Sequence, residues 1–147
     1  MVDLRNRYGR LVAALAVLLA ASSAPAAEEA PPPAHALILF GANWCAPCLA
    51  ELRSLPDYGA MIAPAPLLVA WTDGQPPRLW PAWPGNAQMV PLGQAPALLA
   101  RIGGKTAGLP YVAMLDEKGR LCADLRGKLD RERLAAMLRT CRGGATR

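Results

Sequence analysis

Apolar residues fall in short blocks separated by proline, glycine and charge, and the spacing inside each block changes along the chain. Residues 36–40 (Ala-Leu-Ile-Leu-Phe) form a continuous apolar run of strand length, and residues 67–71 (Leu-Leu-Val-Ala-Trp) form a second. Between them, from residue 46 to about residue 58, Cys48, Leu52 and Leu55 recur at helical spacing. Strand, helix, strand in that order makes a crossover between parallel strands. Residues 74–108 are punctuated by Pro and Gly, and only residues 95–102 carry a helical pattern. Residues 111–115 and 121–125, joined by Asp116-Glu117-Lys118-Gly119, read as an antiparallel hairpin. From Asp130, a suitable N-cap, Leu134, Met137, Leu138 and Cys141 fall at i, i+3, i+4 and i+7 of a closing helix. The expected architecture is α/β: a central mixed four-stranded sheet in the order β-α-β, a crossover helix, then β-β-α, flanked by helices and without internal repeats.

Ahead of this pattern the chain changes character. Arg5, Arg7 and Arg10 precede an apolar block, residues 11–21, which runs into Ser22-Ser23-Ala24-Pro25-Ala26-Ala27. A basic start, a short apolar stretch and a small-residue Ala-Pro-Ala site mark a secretory signal peptide, so residues 1–27 are expected to be removed on export. The block has 11 residues, short of the roughly 18 or more of a spanning helix; an uncleaved N-terminal membrane anchor is the alternative. Residues 28–35 (Glu-Glu-Ala-Pro-Pro-Pro-Ala-His) read as a Pro-rich extended tether, with His35, the single histidine, as a solvated linker residue. The domain then spans residues 36–142, with residues 143–147 as a tail. About 120 residues suffice for one core and not for two. Removing residues 1–27 takes away three Arg and one Asp, which lowers the formal charge from +5 to +3. A surplus that small, spread along the chain, gives no case for nucleic acid as a partner.

The chemistry concentrates at Trp44-Cys45-Ala46-Pro47-Cys48, directly after the first apolar run. Two cysteines three apart in a first helical turn have Cα atoms roughly 5 Å apart, within disulfide reach, so one pair can cycle between dithiol and disulfide without backbone movement. The helix start leaves N–H groups unpaired and carries the positive end of the dipole, which favours a Cys45 thiolate. Cys45 is expected to be the accessible nucleophile that forms a mixed disulfide, and Cys48, one turn inside, to resolve it. Pro47 fits because the first turn needs few N–H groups. Trp44 either offers a flat contact surface beside the site or simply packs.

Together with Gly108-Leu109-Pro110 before the hairpin and the β-β-α ending, these residues make the chain resemble the thioredoxin superfamily over residues 36–141. The fold this implies is a minimal thioredoxin-like one. The resemblance also implies a cis Pro110 lying against the Cys45–Cys48 disulfide and a Leu109 whose backbone pairs with an incoming peptide as with an added strand. Trp44, Leu109 and Pro110 are then the substrate-binding set; the plainer reading of Gly108-Leu109-Pro110 is an ordinary turn. Cys48-Leu49-Ala50-Glu51 further resembles the exported TlpA-like and ResA-like branch, where a glutamate follows the second cysteine by three residues. A carboxyl at i+3 shares a helix face with Cys48, so a desolvated Glu51 could move a proton to or from that sulfur as a general acid–base group. The other reading is a solvated surface glutamate. Three departures stand out: Leu39 replaces the buried Asp many thioredoxins carry six residues before the first cysteine, Tyr111 replaces a common Thr, and the extra N-terminal strand and helix of full thioredoxin are not expected.

Ala46-Pro47 places no histidine between the cysteines, so the reduced form relies on the helix N-terminus, as in thioredoxin and unlike DsbA with its thiol pKa of about 3.5. The expected activity is that of a protein disulfide reductase, periplasmic or otherwise exported. The resemblance implies substrate protein disulfides, a membrane electron donor and, as the leading pathway, cytochrome c maturation. No cofactor beyond the redox-active disulfide and no metal are expected. Two other classes stay open. A copper-binding or other metal-binding module could use Cys45 and Cys48 as thiolates, although no second Cys-X-X-Cys and no nearby His would complete the ligand set. A non-catalytic interaction domain would carry the pair as a static disulfide.

Cys122, in the second hairpin strand, and Cys141, in the closing helix, are expected to form a structural disulfide in an exported protein. Against this, Leu121, Ala123 and Leu125 alternate as a buried set, which turns Cys122 to the face of Asp124; the other reading is two unpaired small residues. Pro76-Pro77, Trp80-Pro81 and Trp83-Pro84 either dock a partner or cover a sheet edge.

Overall fold

The computed structural model describes residues 34–78, 82–104 and 107–143. The expected signal peptide, residues 28–33 of the tether, Trp80-Pro81 and residues 144–147 lie outside the described residues. Strand β1 (Leu37–Gly41) leads into helix α1 (Ala46–Glu51), a 3-10 turn (Leu52–Ser54) and helix α2 (Leu55–Ile62). Strands β2 (Leu67–Trp71) and β3 (Ala87–Met89) precede helix α3 (Ala95–Gly103). The hairpin β4 (Tyr111–Leu115) and β5 (Leu121–Arg126) precedes the closing helix α4 (Arg131–Gly143). The one helix expected over residues 46–58 is therefore broken in two and runs on to Ile62. Pro56 stands in the first turn of α2; it has no N–H for the preceding turn, so the ladder is interrupted and the 3-10 turn bridges the gap.

The sheet has five strands in the order β3-β2-β1-β4-β5, one more than the four expected. The addition is β3, drawn from the Pro- and Gly-punctuated segment. Its three residues run parallel to Leu67–Val69 at the edge and are only partly covered, so they leave no periodic apolar pattern to read. Asn86 fastens this edge, its Nδ2 donating to the carbonyls of Gly59 at 3.0 Å and Ala65 at 2.8 Å. At the centre, β1 lies parallel to β2 (Leu37 opposite Leu67) and antiparallel to β4 (Phe40 opposite Tyr111).

Both faces of the sheet are covered, which explains the unbroken apolar runs of β1 and β2. Leu37, Leu39, Val69 and Val112 pack with Leu52, Leu55 and Leu134 on the face that carries the cysteine pair. Ile38, Phe40, Ala70 and Ala113 pack with Ala95 and Leu98 of α3 on the other. Gly41, where β1 ends, faces Trp71 across the ladder, and a Cβ there would lie 2.3 Å from the indole ring. Glycine at this position is what lets the largest core side chain sit flush beside the site loop.

Candidate active site

From Gly41 the chain passes through Ala42, Asn43 and Trp44 into α1, and Cys45 is the N-cap of that helix. With φ −93° and ψ 94°, Cys45 turns its Sγ back over the helix start, where it accepts the Cys48 N–H at 3.3 Å. The two sulfurs are bonded, with Cα atoms 5.2 Å apart, as first-turn geometry requires. The N–H that would stabilise a Cys45 thiolate is thus aimed at the sulfur in the oxidised chain. That geometry also corrects one expectation. Cys45 is 4% exposed and Cys48 1%, so the first sulfur is more open than the second but hardly accessible, because it folds inward to cap α1. Trp44 beside it is 74% exposed; its ring is surface rather than packing.

Glu51 ends α1 and is buried at 2% exposure, so it is not a solvated surface glutamate. Its Oε1 accepts the Leu129 N–H at 2.5 Å, while Oε2 is buried without a hydrogen-bond partner among the described residues. Burial raises its pKa from 4.5 to about 7, against the Leu129 N–H and the charge of Lys128, which pull the other way. Such a group is part-protonated at neutral pH and able to take or give a proton. Leu39 is buried in the strand below, and Glu51 is the only buried carboxyl among the described residues.

Pro110 is buried, and the Leu109–Pro110 peptide is cis. It stands one residue before Tyr111, which pairs with Phe40, so it lies at the end of β1 from which the Cys45 loop departs. Leu109 beside it is half-buried.

Asn43 is the site residue that sequence reasoning missed. It is 8% exposed. Its Nδ2 donates to Pro76 O at 3.0 Å, its Oδ1 accepts the Arg78 N–H at 2.8 Å, and its own N–H donates to Asp73 Oδ2 at 2.6 Å. Thr72 adds two bonds to Gly41 O, from N–H at 2.8 Å and Oγ1 at 3.0 Å. Two residues before Cys45, the loop after β2 is therefore stapled to the site. The only signal in the sequence is an asparagine before Trp-Cys, a residue type equally at home in any turn.

Among solved structures, the chain matches dsbF of MTB, solved in mixed oxidised and reduced forms, at TM-score 0.54 and 16% identity over 75% of this chain and 82% of that one. It matches the exposed lipoprotein thioredoxin Etrx1 of Streptococcus pneumoniae at 0.53 and 20%, over 77% and 87%. StoA from Bacillus subtilis follows at 0.51 and 16%, over 73% and 84%. The fold is thioredoxin-like. No protein-family model and no curated protein matches the sequence; at these identities the likeness is one of architecture.

On this thioredoxin-like frame Cys122 and Cys141 are also bonded, with Cα atoms 5.1 Å apart, tying β5 to α4. The alternation that argued against this pairing is broken by a shift of register: Met114 pairs with Ala123 but Leu115 with Leu121, leaving Cys122 without a partner of its own. A bulge of this kind re-aims a side chain, and Cys122, Ala123 and Leu125 all pack on the face covered by α4, while Leu121 is 43% exposed. Trp83 is half-buried against the same core. His35 is exposed. No group of three or more His, Cys, Asp or Glu side chains among the described residues could hold a metal ion.

Proposed function

We propose that the chain is an exported thiol-disulfide oxidoreductase that reduces disulfides in other proteins through Cys45 and Cys48. The observation that carries the reading is the disulfide across the first turn of α1, with the Cys48 N–H donated to Cys45 Sγ and a buried, near-neutral carboxyl one turn on. In the reduced chain the Cys45 thiolate attacks one sulfur of a substrate disulfide and the other leaves as a thiolate. Cys48 loses its proton, attacks Cys45 Sγ and releases the second substrate thiol. Two electrons pass from the pair to the substrate. Glu51, on the helix face of Cys48, receives the Cys48 proton in this scheme. Trp44 supplies an exposed contact surface, and Leu109 and Pro110, at the same end of the sheet, supply the backbone edge for the substrate peptide.

The direction of electron flow rests on Ala46-Pro47, which adds no donor to the thiolate beyond the helix start. A reductase in an oxidising compartment is itself re-reduced, and a membrane dithiol donor fills that role. Export rests on residues 1–27, with an N-terminal anchor as the variant form. The TlpA-like character of Cys48-Leu49-Ala50-Glu51 supports an apocytochrome cysteine pair, reduced during cytochrome c maturation, as the substrate.

Insulin reduction tests the activity: the chain accelerates it, and Cys45→Ser or Cys48→Ser abolishes the effect. A reduction potential near the thioredoxin value of about −270 mV is expected, and one near about −120 mV reverses the direction. Cys48→Ser traps the substrate as a mixed disulfide on Cys45. The 4% exposure of Cys45 favours one competing reading, a binding domain with a static disulfide. Inertness of Cys45 to alkylation after mild reduction would establish that reading instead.

A further inference from the structure

The more exposed of the two disulfides is not the one in the Cys-X-X-Cys motif. Cys45 and Cys48 are 4% and 1% exposed, whereas Cys122 and Cys141 are both partly exposed. Cys122 and Cys141 together line an open cleft of about 570 Å³, and Cys141 also lines a neighbouring apolar one of about 370 Å³ between α2, β1 and α4. Both clefts lie toward Leu37 and Leu115, at the end of the sheet away from Cys45. The larger cleft is bordered by Lys118, Arg120 and Arg142 against two carboxylates, Asp116 and Glu117. Arg120 is engaged by Asp116 at 2.9 Å, which leaves Lys118 and Arg142, the latter next to Cys141 in the chain, as the other cations of the cleft.

Thiol-disulfide exchange needs a reachable sulfur and a good leaving thiolate. Both cysteines line the larger cleft, and Cys141 is the more open of the two because it lines the second cleft as well. It also sits in the last turn of α4, at the negative end of the helix dipole, where a thiolate is disfavoured. Cys122, in the strand, is the better leaving group. We propose that Cys122–Cys141 is a second exchange site, open to a small thiol carrying carboxylates, of the glutathione class.

An incoming thiolate bonds to Cys141 Sγ, the Cys122–Cys141 bond breaks, and Cys122 leaves as a thiolate that solvent protonates. A second thiol then attacks the adduct, so that two small thiols end as one disulfide and the protein disulfide ends as two thiols. The first step leaves a mixed disulfide on Cys141 and unties the end of α4 from β5, while Leu129 still holds its beginning.

The test uses the full chain carrying Cys45→Ser and Cys48→Ser, so its result is independent of the proposed reductase activity. Folded protein is incubated with reduced glutathione, quenched, digested and mapped by mass spectrometry. A glutathione adduct on the Cys141 peptide is expected, and the same adduct is expected in a parallel digest of the unsubstituted chain. Arg142→Glu should slow adduct formation about five-fold for glutathione and distinctly less for 2-mercaptoethanol, whose thiolate carries no carboxylates. Survival of the disulfide in both chains until denaturant is added would overturn the proposal, as would an equal effect of Arg142→Glu on the two thiols.

Discussion

Glu51 and Leu129 lie 78 positions apart in the chain, yet Glu51 Oε1 accepts the Leu129 N–H at 2.5 Å. The same residue is held from its other side by Tyr58, whose hydroxyl donates to Leu129 O at 2.8 Å. The segment entering α4 is thus clamped to α1 and α2, and the one buried carboxyl near the cysteine pair is half of the clamp. Protonation at Glu51 and the anchoring of the last helix are consequently linked.

A pH dependence follows from that linkage. Glu51 titrates at about 7 when folded and at its ordinary 4.5 when unfolded. Between those values the folded chain holds the extra proton, so stability falls as pH rises, and above the folded value the ionised carboxylate costs about 3 kcal/mol. Glu51→Gln keeps an acceptor for the Leu129 N–H and removes the charge. Urea unfolding across this range should show the downward slope in the native chain and its loss in the variant, which should be the more stable above about pH 8. A relay role adds a second readout: insulin reduction by Glu51→Gln should lose its rise and fall with the same titration, and an unchanged rate profile would remove Glu51 from the mechanism.

Tyr58→Phe isolates the other half of the clamp. It deletes the bond to Leu129 O and leaves a buried carbonyl unpaired, for a loss of about 1–2 kcal/mol. Chemical denaturation measures this, and the reductase rate should stay near that of the unsubstituted chain because the carboxyl is untouched.

Asn43→Ala removes two side-chain bonds to the loop that follows β2, to Pro76 O and from the Arg78 N–H. A loss of about 2 kcal/mol is expected, with faster hydrogen exchange at the Arg78 amide. Asn43→Asp retains the acceptor for Arg78 and should protect that amide, while losing the donor to Pro76.

Gly41→Ala would set a Cβ 2.3 Å from the Trp71 ring, and backbone and indole cannot both hold their places. Overpacking of this kind costs about 1–3 kcal/mol. In the Trp71→Leu background the same change should cost much less, and a double-mutant cycle by thermal melting reads the coupling. Additive effects would mean that the steric clash is relieved elsewhere.

Some of this was legible along the chain and some was not, and the division has a physical cause. Element type and order follow from local period: the unbroken runs of β1 and β2, the helical spacing of Leu134 and Met137 in α4, and the turn chemistry at Asp116 to Gly119. The Cys45–Cys48 bond is likewise local, since three residues of helix bring the two Cα atoms within reach by themselves. What a neighbour far away in the chain decides could not be read this way. β3 becomes a strand only because the edge of β2 is there to accept three residues with no pattern of their own. Asn43 matters because a loop some thirty positions later folds back onto it. Cys122 turns toward α4 because the hairpin slips register by one residue beside Leu115. Glu51 in isolation is a helix glutamate like any other; its burial, and the proton chemistry that burial brings, come from Leu129 and the start of α4 closing over it from the far end of the domain.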